Sequence, residues 1–284
     1  DKTIKLWDIA TGKVISTFNT DQMVSDIIFS SDSKTLTSVS WDKTIKLWDI
    51  ATGKVISTFN TDQMVSDIIF SSDSKTLTSV SWDKTIKLWD IATGKVISTF
   101  TVHQESVERV VFSPDGQTLA SQSGDNTIKL WDIATGKIIS TFTVHQESVE
   151  RVVFSPDGKT LASQSGDNTI KLWDITTGKL ISTFTNQNLG SIIVFSPDGK
   201  TLVSNYVNEN GENTTKFWDI ATGKLISTLT GHKGRVNSIV FSPDGKTLAS
   251  TDEREKNTIK LWDVAKGKVI STLIGHKGWV NSIV

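Results

Sequence analysis

A Trp-Asp pair that closes a short alternation of apolar and polar residues recurs seven times along this chain of 284 residues. The pairs begin at Trp7, Trp48, Trp89, Trp131, Trp173, Trp218 and Trp262, which gives spacings of 41, 41, 42, 42, 45 and 44 residues. Residues 1–41 and 42–82 are identical, and residues 83–124 and 125–166 differ at three positions. A fixed period of this length indicates a repeat architecture, in which each unit buries its apolar face only against its neighbours.

Within one unit the apolar residues follow the two-residue period of β-strands rather than helical spacing. In residues 104–142 the sequence predicts four strands, running from Val107 to Phe112, Thr118 to Ser123, Thr127 to Trp131 and Ile138 to Phe142. The connections Ser-Pro-Asp-Gly, Gly-Asp-Asn and Ala-Thr-Gly-Lys have the composition of tight turns. Stacked four-stranded units of this kind bury their faces and leave only short strand edges.

The motifs Gly-His, Phe-Ser-Pro-Asp-Gly, Leu-Ala-Ser and Thr-Ile-Lys-Leu-Trp-Asp occur together, most completely in residues 231–263. As a set they resemble the WD-repeat family along the whole chain, and the repeated Asp-Ile-Ala-Thr-Gly-Lys turns resemble those of bacterial, cyanobacterial-like members. The resemblance implies an all-β, seven-bladed β-propeller. It has six complete blades and a split seventh blade, made from both termini and lacking one strand. We expect residues 1–284 to form a single domain, an excerpt of a longer chain.

The resemblance also implies a hydrogen-bonded set of four side chains that fastens each blade, here called the tetrad. Blade one is the blade that contains Trp48, and the split blade is blade seven. In blade three the tetrad is His103, Ser121, Asp125 and Trp131. In blade four it is His145, Ser163, Asp167 and Trp173.

The other blades depart from this pattern. Blades one and two have Asp21 and Asp62 at the histidine position, close to Asp42 and Asp83. Paired carboxylates repel unless one is protonated or displaced. The remaining departures are Gln187 and Glu212 in blade five, Lys256 in place of Asp beside His232 and Ser250 in blade six, and His276 without a Ser partner in blade seven. We therefore expect stability to differ between blades.

Ser, His and Asp together suggest a nucleophile, because such a triad activates a serine hydroxyl. Here the set occurs in two blades, and its serine is expected to be buried against Trp. We therefore predict no catalytic activity. The four histidines belong to different blades, and the chain has no cysteine, which excludes disulfides and thiolate metal sites. We accordingly predict neither a cofactor nor a metal.

The net charge and the hydropathy of the sequence argue against nucleic acid and membranes as partners. Lys plus Arg number 30 and Asp plus Glu number 31, so bulk attraction to nucleic acid or to anionic membranes is not expected. No apolar run approaches the roughly 20 residues of a membrane helix. The absence of cysteine fits a reducing compartment, and we expect the protein to be cytoplasmic.

The main functional hypothesis is a scaffold that binds a protein or peptide on the top face, which the family builds from two loops per blade. The predicted binding residues are Met23, Trp41, Met64, Trp82, Glu108, Glu150, Arg235, Trp279 and Asn281. Trp41 and Trp82 lie in turns just before Asp, where packing against a neighbouring blade is the alternative explanation. A second hypothesis is multivalent carbohydrate binding, with the same Trp residues stacking on sugar rings.

Overall fold

The computed structural model describes residues 2–8, 13–71, 73–101, 103–143, 145–185, 189–207, 213–252, 258–274 and 283. In these residues the regular elements are β-strands, and each sheet pairs strands that are consecutive in sequence, in antiparallel order. The same residues contain no helix long and apolar enough to cross a membrane. Contacts divide the chain into two compact units, Asp1–Thr143 and Val144–Val284.

The first unit contains a two-stranded sheet and three four-stranded sheets, which are blades one to three. The two-stranded sheet, part of the predicted blade seven, consists of β1 (Thr3–Trp7) and β2 (Val14–Asn19). Blade one consists of β3 (Val24–Phe29), β4 (Thr35–Ser40), β5 (Thr44–Asp49) and β6 (Val55–Asn60). Blade two consists of β7 (Val65–Phe70), β8 (Thr76–Ser81), β9 (Ile86–Asp90) and β10 (Val96–Phe100). Blade three consists of β11 (Val107–Phe112), β12 (Thr118–Ser123), β13 (Ile128–Asp132) and β14 (Ile138–Phe142).

The second unit contains three further four-stranded sheets, blades four to six. Blade four consists of β15 (Val149–Phe154), β16 (Thr160–Ser165), β17 (Thr169–Asp174) and β18 (Leu180–Thr185). Blade five consists of β19 (Leu189–Phe195), β20 (Thr201–Val207), β21 (Asn213–Asp219) and β22 (Leu225–His232). Blade six consists of β23 (Val236–Phe241), β24 (Thr247–Asp252), β25 (Thr258–Asp263) and β26 (Lys268–Ile274). The strand predicted after Gly278 lies outside the described residues.

Neighbouring blades within the first unit share their apolar cores. One cluster joins Val39 and Leu47 of blade one to Ile68 and Trp89 of blade two. The equivalent cluster joins blade two to blade three. Because β8 is covered on both faces, its residues from Leu77 to Ser81 are all buried. The blades thus depend on their neighbours for burial, as the repeat period predicts.

The turn between the first and second strands requires one residue with positive φ. Glycine fills this place in blades three to six, for example Gly116 at φ 70°. Blades one and two have Ser33 at φ 56° and Ser74 at φ 55° instead. Blades one and two therefore form the same turn without the Pro-Asp-Gly sequence. Their serines adopt a positive φ that only glycine adopts without strain.

Candidate functional site

In blade three the four tetrad side chains form one chain of hydrogen bonds. The Trp131 Nε1–H donates to Ser121 Oγ at 2.8 Å, and Ser121 Oγ lies 2.7 Å from His103 Nε2. On the other side of the ring, His103 Nδ1 lies 3.0 Å from Asp125 Oδ2. A neutral imidazole satisfies every contact, since Nδ1–H donates to the carboxylate and Nε2 accepts the serine hydroxyl proton. The tetrad thereby links β12 and β13 to the segment that precedes β11.

The surroundings of this set lower the pKa of both ionisable groups, for different reasons. Burial lowers the pKa of His103 below 6.5, and this effect exceeds the opposing influence of Asp125. For Asp125 burial acts to raise the pKa, but hydrogen bonds from the Thr127 hydroxyl, the Gln104 N–H and His103 outweigh it and lower the pKa to about 2. Because both pKa values are lowered, the imidazole of His103 is neutral and the carboxylate of Asp125 is ionised at neutral pH. The supporting contacts from Thr127 and Gln104 were not predicted from the sequence.

Blade four repeats the arrangement in the second unit. His145 lies 2.7 Å from Ser163 Oγ and 3.0 Å from Asp167 Oδ2, and the Trp173 Nε1–H donates to the same serine at 2.9 Å. Burial again lowers the pKa of the histidine, and the pKa of Asp167 is lowered to about 2 by hydrogen bonds that outweigh its burial. The near-identical sequence of the two blades thus gives the same geometry.

Blade six also has a tetrad. The sequence predicted that this blade lacks the Asp, because Lys256 stands in its place, and that prediction was wrong. His232 Nδ1 contacts Asp252 Oδ2 at 2.7 Å and its Nε2 contacts Ser250 Oγ at 2.6 Å, while the Trp262 Nε1–H donates to Ser250 at 2.7 Å. The carboxylate belongs to Asp252 at the end of β24, two residues after Ser250. It takes the role of the Asp that other blades have where blade six has Lys256. The sequence feature that could have predicted this contact is Ser-Thr-Asp at residues 250–252, which places a carboxylate close to Ser250. Lys256 lies outside the described residues, as do Gln187, Glu212 and His276.

In blades one and two the expected carboxylate repulsion is avoided by displacement. Asp21 is exposed and bonds to the ammonium group of Lys46 on β5, and Asp62 bonds to Lys87 on β9 at 2.6 Å. The hydrogen bond and charge of each lysine lower the pKa of the aspartate. The Trp–Ser link persists without histidine, because the Trp48 Nε1–H donates to Ser38 Oγ at 2.8 Å.

The Ser–His–Asp contacts do not form an accessible nucleophile. Ser121 is 0 % exposed, and its oxygen already contacts both His103 and the Trp131 indole. A substrate carbonyl therefore has no approach to this hydroxyl. Among the described residues no group of three or more His, Asp or Glu side chains is arranged to hold a metal ion.

The surface candidates of the first unit form two matching pairs. Trp41 N–H donates to Met23 O at 3.0 Å, and Trp82 N–H donates to Met64 O at 3.0 Å. Both indoles face solvent, since Trp41 is 56 % and Trp82 64 % exposed. Burial against a neighbouring blade, the alternative explanation for these residues, does not fit this exposure. We call these four residues the Met–Trp surface.

The remaining binding candidates are distributed over both units. Glu108 is exposed on β11, in the first unit. Glu150 and Arg235 are exposed in the second unit. Trp279 and Asn281 lie outside the described residues. Their participation in one binding surface stays a prediction.

The first strands also carry a charged cluster that the sequence did not predict. Asp67 Oδ2 accepts the Val110 N–H at 3.1 Å, which links β7 of blade two to β11 of blade three. Burial raises the pKa of both Asp26 and Asp67, and the nearby Arg109 charge opposes this rise. The Asp67–Val110 hydrogen bond therefore joins the first strands of blades two and three, and the charges of Asp26 and Arg109 lie close enough to influence the pKa of Asp67 in opposite directions.

Comparison with known proteins identifies the fold. The family model "WD domain, G-beta repeat" matches residues 12–49, 53–90, 94–132, 136–174 and 223–263, which is more than half of the chain. The chain is similar to the crystal structure of the computationally designed protein Ika8, with a TM-score of 0.84 and 29 % identity over 99 % of this chain and 84 % of that one. No curated protein matches the sequence.

These matches and the sheets together confirm the predicted fold class. It is an all-β, seven-bladed β-propeller, and the described residues contain six four-stranded blades and one two-stranded sheet. That this two-stranded sheet and the C-terminal residues together form a split seventh blade stays a prediction. The single-domain assignment stays a prediction. The chain belongs to the WD40 repeat family.

Proposed function

We propose that this protein is a non-catalytic interaction module that binds a protein or peptide partner through the Met–Trp surface. WD40 propellers are generally scaffolds for protein interaction. A rigid framework whose loops vary independently suits this role. The proposal assigns the contact to blades one and two, where the loops carry large apolar side chains.

The observation that carries the proposal is an exchange of Trp for Gly at the same place in the turn. In blade three the Gly124 N–H donates to Ser106 O at 3.1 Å, which is the same bond that Trp41 makes to Met23. Gly166 in blade four bonds to Ser148 in the same way. The turn therefore forms without an indole, and folding of the hairpin does not explain Trp41 or Trp82.

Energetics favour a partner at this surface. Each indole leaves a large apolar area in water, and covering it recovers about 25 cal/mol per Å². Trp is enriched among residues that dominate binding energy, and the flexible Met23 and Met64 side chains adapt to the shape of a partner. Glu108 and Glu150 are expected to affect the association rate more than the affinity.

The test uses the glycine that the chain itself has in this turn. Peptides selected from a random display library on the wild-type protein are titrated against a Trp41→Gly, Trp82→Gly double variant. We expect a loss of at least about tenfold in affinity, the scale of one binding hot spot. The control is Ile56→Ser with Ile97→Ser, which removes exposed apolar side chains from β6 and β10 and leaves binding unchanged.

Two results contradict the proposal. In one, the selected peptides bind the double variant as tightly as the wild type. In the other, an immobilised glycan array shows binding that depends on Trp41 and Trp82 while no peptide is selected, which supports the carbohydrate hypothesis instead.

A further inference from the structure

We propose that the Met–Trp surface binds a proline-rich segment in the polyproline II conformation, an inference that rests on the proposed function and names the class of partner. Polyproline II is an extended helix without internal hydrogen bonds, so its carbonyl groups stay available to a binding protein. Proline itself has a carbonyl acceptor and no N–H donor. A surface that fits such a segment therefore combines a flat apolar face with hydrogen-bond donors.

Trp41 and Trp82 each present an indole donor that the fold leaves unused. In the six four-stranded blades the indole N–H of the third-strand Trp donates to a buried serine hydroxyl, at 2.7 to 3.0 Å. Within the described part of the chain, neither Trp41 nor Trp82 has an acceptor for this N–H, and both indoles face solvent. The face of each indole is thus open to a proline ring, and its N–H to a carbonyl group of the partner.

The main-chain carbonyl beside each indole is already engaged. Met23 O accepts the Trp41 N–H at 3.0 Å and the Ser40 hydroxyl at 3.3 Å. Met64 O accepts the same two bonds in blade two, both at 3.0 Å. A partner that binds by β-strand addition needs free main-chain groups, which these carbonyls do not provide. A segment that binds through its rings and its own carbonyl groups does not need them.

The charged side chains of each turn balance one another. Asp42 and Lys43 directly follow Trp41, and Asp21 on the neighbouring loop pairs with Lys46. Blade two has the same four residue types at the equivalent positions. Since opposite charges across an interface select the partner, a site whose charges cancel matches an uncharged segment.

The polar side chains of the turn are committed to the fold, which favours proline over a sugar. Asp42 Oδ1 accepts the Thr44 N–H at 3.0 Å and the Thr44 hydroxyl at 2.5 Å. Lys43 Nζ donates to Asp62 O at 3.2 Å. A sugar stacked on an indole also needs polar groups that bond its hydroxyls, whereas a proline segment needs the ring face and one donor.

The two blades hold the contact points in a fixed relation. The Thr61 N–H donates to Lys43 O at 2.9 Å, which fastens the turn that contains Trp41 to the loop that contains Met64. A rigid surface favours a ligand that is itself stiff, because little conformational freedom is then lost on binding. Polyproline II is such a preformed conformation.

The experiment measures binding of fluorescently labelled decaproline to the whole chain by fluorescence anisotropy. Decaproline is about 30 Å long in this conformation. We expect saturable binding with a Kd below about 1 mM. The matched control is decaproline made of D-proline, which has the same composition and forms the mirror-image helix. We expect it to bind at least about tenfold more weakly.

Variants of the protein separate the two parts of the contact. Trp41→Phe with Trp82→Phe keeps an aromatic ring and removes the indole N–H, and we expect it to weaken decaproline binding about five- to tenfold. Trp41→Gly with Trp82→Gly removes both the ring and the donor and abolishes binding. Ile56→Ser with Ile97→Ser leaves binding unchanged.

The inference is overturned if L-decaproline does not bind up to about 1 mM, if D-decaproline binds as tightly, or if the Phe or Gly variant binds as well as the wild type. Failure of the proposed function is distinguishable from these results, since no library peptide that depends on Trp41 and Trp82 is then selected. Selected peptides that depend on both Trp residues but lack proline overturn the polyproline inference alone.

Discussion

Individual turn residues decide part of the stability of blades one and two. Ser33 holds φ at 56°, where the glycines of the equivalent turns sit without strain. Ser33→Gly relieves about 1–2 kcal/mol of strain and adds up to about 1 kcal/mol of flexibility to the unfolded chain. We expect a net gain of about 0.5–1 kcal/mol in the free energy of unfolding, measured by urea titration.

Ser74 provides a matched control for this prediction, since its sequence context is the same. Its hydroxyl accepts the Ser31 N–H at 3.0 Å and lies 2.6 Å from Ser31 Oγ. Ser74→Gly relieves the same strain but removes these contacts between blades one and two. We expect a smaller gain than for Ser33→Gly, and an equal or larger gain would show that the contacts contribute nothing.

The buried histidines predict a dependence of stability on pH. Burial lowers the pKa of His103 and His145 in the folded chain below 6.5, so the unfolded chain binds more protons as pH falls through that value. Stability from this source is present above pH 6.5 and is lost on acidification. The lowered pKa of Asp125, about 2, adds a second loss between pH 3.8 and about 2.

The measurement is the free energy of unfolding at pH 7.5 and at pH 5.5, for the wild type and for a His103→Gln, His145→Gln variant. We expect the variant to be less stable at pH 7.5 and to lose less on acidification. An unchanged pH dependence would show that the histidines do not carry it.

At the scale of the blade, the tetrad and its replacement predict unequal local stability. Blade three is fastened by the buried contacts of His103, whereas blade one relies at the same position on an ion pair between Lys46 and Asp21, whose carboxylate is exposed to solvent. Exposed ion pairs contribute little to stability. We expect amide hydrogens of β4 and β5 to exchange faster than those of β12 and β13, measured by mass spectrometry. Equal protection would contradict this ranking.

The strand bounds were largely predictable from the sequence, whereas some of the tetrad contacts were not. In blade three the first, second and fourth strands have the predicted bounds, because tandem near-copies make the period and the turns unambiguous. The Asp252 contact was missed because Lys256 occupies the place before Trp262 that Asp125 has before Trp131, whereas in blade six the carboxylate comes from β24 itself. The pairing of Asp21 with Lys46 was missed because it depends on a side-chain direction that the sequence does not specify.

At the scale of the whole molecule, strand edges determine self-association. The fourth strands, such as β6 and β10, are edge strands whose pairing is interrupted by a register shift, at Trp48 in blade one and at Val96 in blade two. Irregular edges of this kind resist pairing with another chain. The pairing of β1 with β2 has the same register shift, between Leu6 and Trp7, but β1 has the sequence of an interior strand, β5, and an unpaired side among the described residues.

We therefore expect copies of this chain to associate through β1. Static light scattering should give an apparent mass that rises with protein concentration. An unpaired strand edge offers main-chain donors and acceptors to another chain, and the apolar Ile27 and Trp7 side chains beside it favour contact over solvation. A mass that stays monomeric at every concentration would show that the edge of β1 does not pair between copies.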